Sequence, residues 1–244
     1  MFHRQSSREP DRRQSRRRNH LPGLFILHED QDILVVDKAP GLLTIATETD
    51  REHTAYRLLT DYVREGCGRS RKRIFIVHRL DRDTSGVLIF AKNETVKRYL
   101  QEHWADTRKT YLAVVHGTPI RSEGMIVNYL AENAAHRVYT TRDPAKGQLA
   151  KTAWRVLQAN RAFSLLEIDL LTGRKNQIRV HLAEFGYPVV GDHKYGRADD
   201  SHKQMALHAR SISFTHPVTG AQRVFEAVVP NYFTRLMSNG PRPG

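Results

Sequence analysis

Two short apolar runs, Ile74-Phe75-Ile76-Val77 and Val87-Leu88-Ile89-Phe90-Ala91, are joined by a dense polar segment. Their length and their β-branched and aromatic content read as two buried strands, so the chain must turn between them. The joining residues are His78-Arg79-Leu80-Asp81-Arg82-Asp83-Thr84-Ser85-Gly86. A reversal needs an Asp, a Ser or a Gly. It does not need two carboxylates, two guanidiniums, an imidazole and two hydroxyls together. The surplus directs attention to chemistry at this turn.

Taken alone, the turn admits a plain reading, a charged hairpin in which Asp83 or Ser85 supports the bend. Asp81, Asp83, Ser85 and Gly86 also match the opening of an EF-hand loop. That loop closes on a Glu, and Lys92 stands there instead, which excludes calcium. A kinase reading of His-Arg-x-Asp fails because the chain has neither a Gly-x-Gly-x-x-Gly loop nor Asp-Phe-Gly.

The formal net charge is +13 over 244 residues, which favours a polyanionic partner. At this length one large domain or two small ones, with a sizeable core, is expected. No apolar stretch is long enough to span a bilayer, so no membrane association is expected. Cys67 is the single cysteine, which excludes an intramolecular disulfide and a Cys-rich metal site. The 13 histidines lack ligand spacing, and neither metal nor cofactor is assigned.

Residues 1–21 form a separate zone with seven arginines against Glu9 and Asp11. So little apolar content cannot bury enough surface to fold, and the zone reads as a disordered basic arm. Its alternatives are an inert tail and a general aid to affinity for the polyanionic partner. From Leu24 onward the pattern is mixed. Leu34 to Val36 reads as a strand stopped by Pro40-Gly41. Thr54 caps a helix closed by Gly66, and Asn93 caps a second with Val96, Tyr99, Leu100 and Trp104 as its stripe. Strands are expected over Tyr111 to His116 and Phe163 to Leu171. A helix is expected from Lys175 to Phe185, with Ile178, Leu182 and Phe185 inward. Residues 132–150 are polar, hold Pro144 and Gly147, and read as a long connection. Irregular interspersion of helices among strands gives an α+β class.

The nine-residue segment resembles the active-site segment of RluA-type RNA pseudouridine synthases. Further segments resemble that family in the same order. They are Ile33-Leu34-Val35-Val36-Asp37-Lys38-Ala39-Pro40-Gly41-Leu42, Lys109-Thr110-Tyr111, Thr172-Gly173-Arg174-Lys175-Asn176-Gln177-Ile178-Arg179, Gly191-Asp192-His193-Lys194-Tyr195-Gly196, and Leu207-His208-Ala209 with His216-Pro217-Val218-Thr219-Gly220. The resemblance implies one catalytic domain over residues 22–244, built on a mixed, mostly antiparallel sheet with a central cleft. It implies an isomerase that turns uridine into pseudouridine in ribosomal RNA, of the 23S type, or in transfer RNA.

The resemblance also implies site roles. Asp81 is the catalytic carboxylate, and Arg174 is its cationic partner. Tyr111 stacks on the uracil and assists proton removal. Arg79 displaces and replaces the flipped base, and Ile178 gives apolar contact beneath it. Arg79 and Asp81 are two apart, so an extended segment turns both to one side, with His78 and Leu80 opposite. The family usually has His where Asn176 stands, which puts target choice and local contacts in question.

The alternative from another class is a non-catalytic RNA-binding ribosome-assembly factor. Such a binder has no need of Asp81, Tyr111 and Arg174 together. A glycosidase using Asp81 and Asp83 is excluded, because side chains two apart on one segment do not straddle a sugar ring. A cytoplasmic monomer acting on RNA completes the expectation.

Overall fold

The computed structural model describes residues 20–238, apart from 49 and 66. The elements begin with β1 (His20–Leu21), β2 (Leu24–Glu29), β3 (Ile33–Lys38), α1 (Ala55–Val63), β4 (Phe75–Ile76), β5 (Ser85–Ala91) and α2 (Glu94–Glu102). Then follow β6 (Arg108–His116), β7 (Glu123–Glu132), β8 (Val138–Thr141), β9 (Gln148–Ala159) and β10 (Phe163–Leu170). The chain ends through α3 (Gln177–Glu184), β11 (Leu207–Thr215), β12 (Gln222–Glu226) and α4 (Asn231–Ser238).

All the strands form one sheet in the order β1-β2-β3-β5-β11-β6-β10-β9-β7-β8, with β4 beside β5 and β12 beside β11. Every named pairing is antiparallel except β5 with β11. The class is therefore α+β, as the sequence implies.

The expected strand–turn–strand at the polar segment is present. β4 pairs β5 through Phe75↔Ala91 and Ile76↔Phe90. All seven residues of β5 are buried, which is why its sequence shows no alternation. Thr54 and Asn93 cap their helices, accepting from Arg57 N at 3.1 Å and Val96 N at 2.8 Å. The first helix stops at Val63, and Glu65 takes the left-handed turn at φ 53°. The closing role expected of Gly66 falls outside the described residues.

In β10, Leu166 and Ile168 are fully buried, and both face Ile178 and Leu182 of α3 in one core cluster. Each such burial contributes about 1.5–3 kcal/mol. The helix is buried on nearly every side, from Gln177 to Leu182. Its polar residues are satisfied by the sheet beneath. Gln177 Nε2 donates to Lys151 O at 3.0 Å, and His181 bonds Thr152 Oγ1 at 2.9 Å and Asn128 Oδ1 at 2.7 Å. Phe185 departs from the expected inward stripe: it is 40% exposed and packs at a tilt against Trp154 and Tyr187.

Two further expectations are corrected. Residues 132–150 are not a plain connection, because β8 lies within them and pairs with β7. A sheet-edge strand of four residues with only Val138 buried leaves no hydrophobic period to read. The basic arm reading included His20 and Leu21, which form β1 against Leu24 and Phe25. Residues 1–19 lie outside the described residues.

Two of the resembling segments hold the architecture. Gly86 sits at φ +112° where β11 crosses, and a Cβ there would stand 2.2 Å from Ala209 O. Ser85 Oγ lies 2.9 Å from His208 Nδ1 across the same parallel pair. His216 Nδ1 accepts from Val218 N and Thr219 N, so its Nε2 carries the proton and donates to Asp30 Oδ2 at 3.2 Å. That bond ties the β11–β12 turn to the β2–β3 turn.

Candidate active site

Asp81 lies just before β5, in the turn that the sheet brings opposite the first turn of α3. The turn is clamped by polar groups of the preceding segment. Thr44 Oγ1 donates to Leu80 O at 2.8 Å and accepts from Leu80 N at 3.2 Å. Lys38 is fully buried, and its Nζ donates to Ala39 O, Leu42 O and Arg82 O at 2.9–3.0 Å. Burial lowers the Lys38 pKa to about 8, against the pull of Asp83 and Asp81. Gly41 N donates to Arg82 O at 2.9 Å, which closes the clamp.

The Asp81 carboxylate is half-buried and is held on one oxygen. Arg179 Nη1 donates to Oδ2 at 2.9 Å and Asn176 Nδ2 donates to the same atom at 2.6 Å. No hydrogen bond to Oδ1 occurs among the described residues. Arg179 is itself gripped by Asp192, with Nε and Nη2 each 2.7 Å from a carboxylate oxygen. Burial works against the Arg179 charge, but the Asp192 and Asp81 contacts more than offset it and push its pKa up. Burial likewise opposes ionisation of Asp192, and Arg179 with the Tyr195 and Lys194 amides holds its pKa down.

Arg79, Asp81, Tyr111, Arg174 and Ile178 all line one cleft of about 540 Å³. That volume is typical of a small-ligand site. Leu80 is buried and His78 turns inward, its Nε2 accepting from Ile89 N at 3.1 Å and its ring 4.6 Å from Trp104. Arg79 is exposed at the rim. Tyr111, on β6 opposite Ile168 and Ala209, is buried enough that its phenol pKa rises, and the Asp81 charge raises it further. Ile178 is 5% exposed and belongs at once to the cleft floor and the core. Lys109 Nζ donates to Trp104 O at 3.0 Å and lies 5.2 Å from that indole ring.

The expected ion pair between Arg174 and Asp81 is not formed. Arg174 precedes the helix, and its exposed guanidinium donates through Nε to Leu149 O at 3.2 Å. The pairing guanidinium is Arg179, three residues after Asn176 and therefore on the same face of α3. Sequence reasoning missed Arg179, Asp192, Lys38 and Thr44. The usable signal was Asp192, a carboxylate within a recognised segment that required a cation partner once buried.

The description RNA pseudouridylate synthase belongs to the family whose profile matches residues 32–184. The uncharacterised RNA pseudouridine synthase YlyB of Bacillus subtilis is 38% identical over 223 residues, covering 88% of this chain and 72% of that protein. Ribosomal large subunit pseudouridine synthase D of Borreliella burgdorferi is 31% identical over 229 residues, covering 91% of this chain and 70% of that one. Among solved structures, human RNA pseudouridylate synthase domain containing 4 shares the fold at a TM-score of 0.71. It is 24% identical, over 86% of this chain and 90% of that chain. With the matched profile running through the Asp81 turn and into α3, the chain belongs to the RluA-type RNA pseudouridylate synthase family and is an isomerase that converts uridine to pseudouridine in RNA.

Proposed function

We propose that Asp81 is the catalytic carboxylate and that the substrate is ribosomal RNA, with the large-subunit RNA as first candidate. One observation carries the assignment: a carboxylate anchored by two donors on one oxygen leaves its other oxygen open toward a cleft lined by a tyrosine. The RNA class is supported by relatives named ribosomal large subunit pseudouridine synthase D. The alternative, a non-catalytic ribosome-assembly factor, has no use for a carboxylate so held.

The reaction breaks the C1′–N1 bond, turns the uracil, joins C5 to C1′, releases the C5 proton and leaves N1 to take up a proton in its place. It consumes no cofactor, and the proposed site uses no metal. Asp81 acts either on uracil C6 or through the ribose, with the Arg179 guanidinium 2.9 Å from its anchored oxygen. The Tyr111 ring covers one face of the base. Its phenol is held protonated, so it takes the C5 proton only while passing its own to solvent in the open cleft. The target nucleotide must leave its stack to reach Asp81. Arg79 at the rim fills the gap, Arg174 meets the backbone phosphates, and Ile178 lies under the base. The enzyme acts as a cytoplasmic monomer, with the catalytic domain beginning at β1 (His20–Leu21) and the preceding residues 1–19 adding RNA affinity. No helix among the described residues is long and apolar enough to cross a membrane.

The test is Asp81→Asn, assayed by tritium release from 5-tritiated uridine in ribosomal RNA. Turnover should vanish while RNA affinity and melting temperature stay close to wild type. Normal turnover by the folded variant would end the assignment. Pseudouridine mapping of ribosomal and transfer RNA from a deletion strain identifies the target, and a missing site only in transfer RNA would overturn the ribosomal reading.

A further inference from the structure

Asn176 occupies the junction between the Asp81 turn and the start of α3. Its backbone is left-handed at φ 53°, a conformation that Asn, Asp and Gly tolerate. Its side chain makes no capping bond to its own helix. Instead it reaches outward at both ends. Nδ2 donates to Asp81 Oδ2 at 2.6 Å, and Oδ1 accepts from the Tyr195 hydroxyl at 3.2 Å.

The orientation of that amide follows from its neighbours. Val138 N can only donate, and it lies 3.0 Å from Tyr195 Oη. The tyrosine oxygen is therefore an acceptor from Val138 and directs its own proton to Asn176 Oδ1. The amide NH₂ is then left facing Asp81. The far end agrees, because an ionised carboxylate only accepts. Tyr195 is buried, and its ring is braced by Arg179 at 5.1 Å and Arg137 at 4.9 Å. The path Val138 N–H, Tyr195 O–H, Asn176 amide, Asp81 thus runs in one direction, from the β7–β8 hairpin to the cleft.

We propose that Asn176 is a positioning residue for the isomerisation: its amide relays the Val138–Tyr195 hydrogen bonds to Asp81 Oδ2, fixing which carboxylate oxygen is anchored and which is free. This rests on the reading of Asp81 as the catalytic group. Arg179 supplies charge to Oδ2, whereas Asn176 supplies direction. Two donors converging on one oxygen define the plane of the carboxylate, which a single ion pair does not. The amide does not titrate, so this support persists across the working pH range. The relay also couples the carboxylate to the β7–β8 hairpin, since displacing Val138 would release Tyr195 and let the amide turn over.

The experiment uses the full chain and four variants: Asn176→Gly, Asn176→Asp, Tyr195→Phe and Asp81→Asn. Glycine keeps the left-handed backbone and removes the amide, and aspartate keeps the shape but replaces a donor by an acceptor. Single-turnover rates are measured over roughly pH 5 to 9, together with RNA affinity and melting temperature. The glycine variant should lose about tenfold in rate, with RNA affinity within about twofold of wild type. In the aspartate variant two facing carboxylates share a proton, so the acid limb of the rate should move upward by about one pH unit or more. Tyr195→Phe should give a smaller loss than glycine. Wild-type rate and pH profile in both Asn176 variants would overturn the relay. So would a rate loss that only tracks the folded fraction with the pH profile unmoved. An active Asp81→Asn would instead overturn the catalytic assignment, whereas an inactive Asp81→Asn beside unaffected Asn176 variants would refute the relay alone.

Discussion

Arg179 Nη1 stands 2.9 Å from Asp81 Oδ2, across 98 positions of sequence. The same guanidinium gives its other edge to Asp192 in two bonds of 2.7 Å. One cation therefore serves two carboxylates: the almost fully buried Asp192 fixes its plane, and Asp81 receives what remains. The fork geometry of arginine allows this division, and the point charge of lysine does not.

Arg179→Lys should accordingly keep the positive charge yet lower the isomerisation rate by at least about tenfold, with RNA affinity nearly unchanged. Loss of the paired bonds to buried Asp192 should also lower stability, by up to about 3–5 kcal/mol if Asp192 is left unpaired. Tritium release and thermal melting measure the two effects. Wild-type turnover in Arg179→Lys would show that the forked contact is dispensable.

Arg79 is exposed at the rim of the cleft beside Asp81. If it replaces the flipped base, Arg79→Ala should lose more activity on a stem-loop than on its linear fragment, where unstacking costs little. Lysine should rescue poorly, for want of a flat stacking surface. Equal losses on both RNAs with full rescue by lysine would reduce Arg79 to a phosphate contact.

Acid should weaken the fold before it weakens RNA binding. Burial lowers the pKa of His181 and of His208 to about 4, and that of His78 to about 3, from the ordinary 6.5. The unfolded chain thus takes up protons first. The stabilisation is complete above about pH 6.5 and is lost as pH falls through 4. Melting temperature should drop across that window. His181→Gln should melt lower at pH 7 but show a shallower drop, and an equally steep curve would assign the acid sensitivity to other groups.

Deleting residues 1–19 removes seven arginines and two acids. RNA affinity should fall modestly and its salt dependence should flatten, because fewer counterions are released from phosphate. Catalysis at low salt should persist. A binding titration with an unchanged salt slope would make the arm a bystander.

Much of this was legible in the sequence where burial leaves a period or a cap. Leu166 and Ile168 alternate with Glu167 and Asp169, and Thr54 and Asn93 mark their helix starts, so β10, α1 and α2 could be read directly. The position of Asp81 in a turn between two apolar strands was equally plain. β8 was not, because an edge strand with one buried side chain carries no pattern. The choice between Arg174 and Arg179 depends on where α3 begins, and the cap there is a left-handed Asn with no side-chain bond to announce it. Lys38 and Thr44 were hidden for a different reason: their partners are backbone carbonyls and amides, which every sequence supplies alike.

The parallel seam between β5 and β11 has a consequence for synthesis. Asp81 precedes β5 in the N-terminal half of the sheet, Arg179 sits on α3 over the C-terminal half, and β11 is the strand that joins β5 to β6 between them. Residues from Leu207 onward leave the ribosome after Asp81, Tyr111 and Arg179. Until they pair, nothing in the sheet holds the two halves of the cleft in register, and such long-range pairing closes late. A nascent chain can therefore carry Asp81, Tyr111 and Arg179 before it holds them in one cleft. β11 is therefore the strand whose pairing completes the cleft and makes the chain an enzyme.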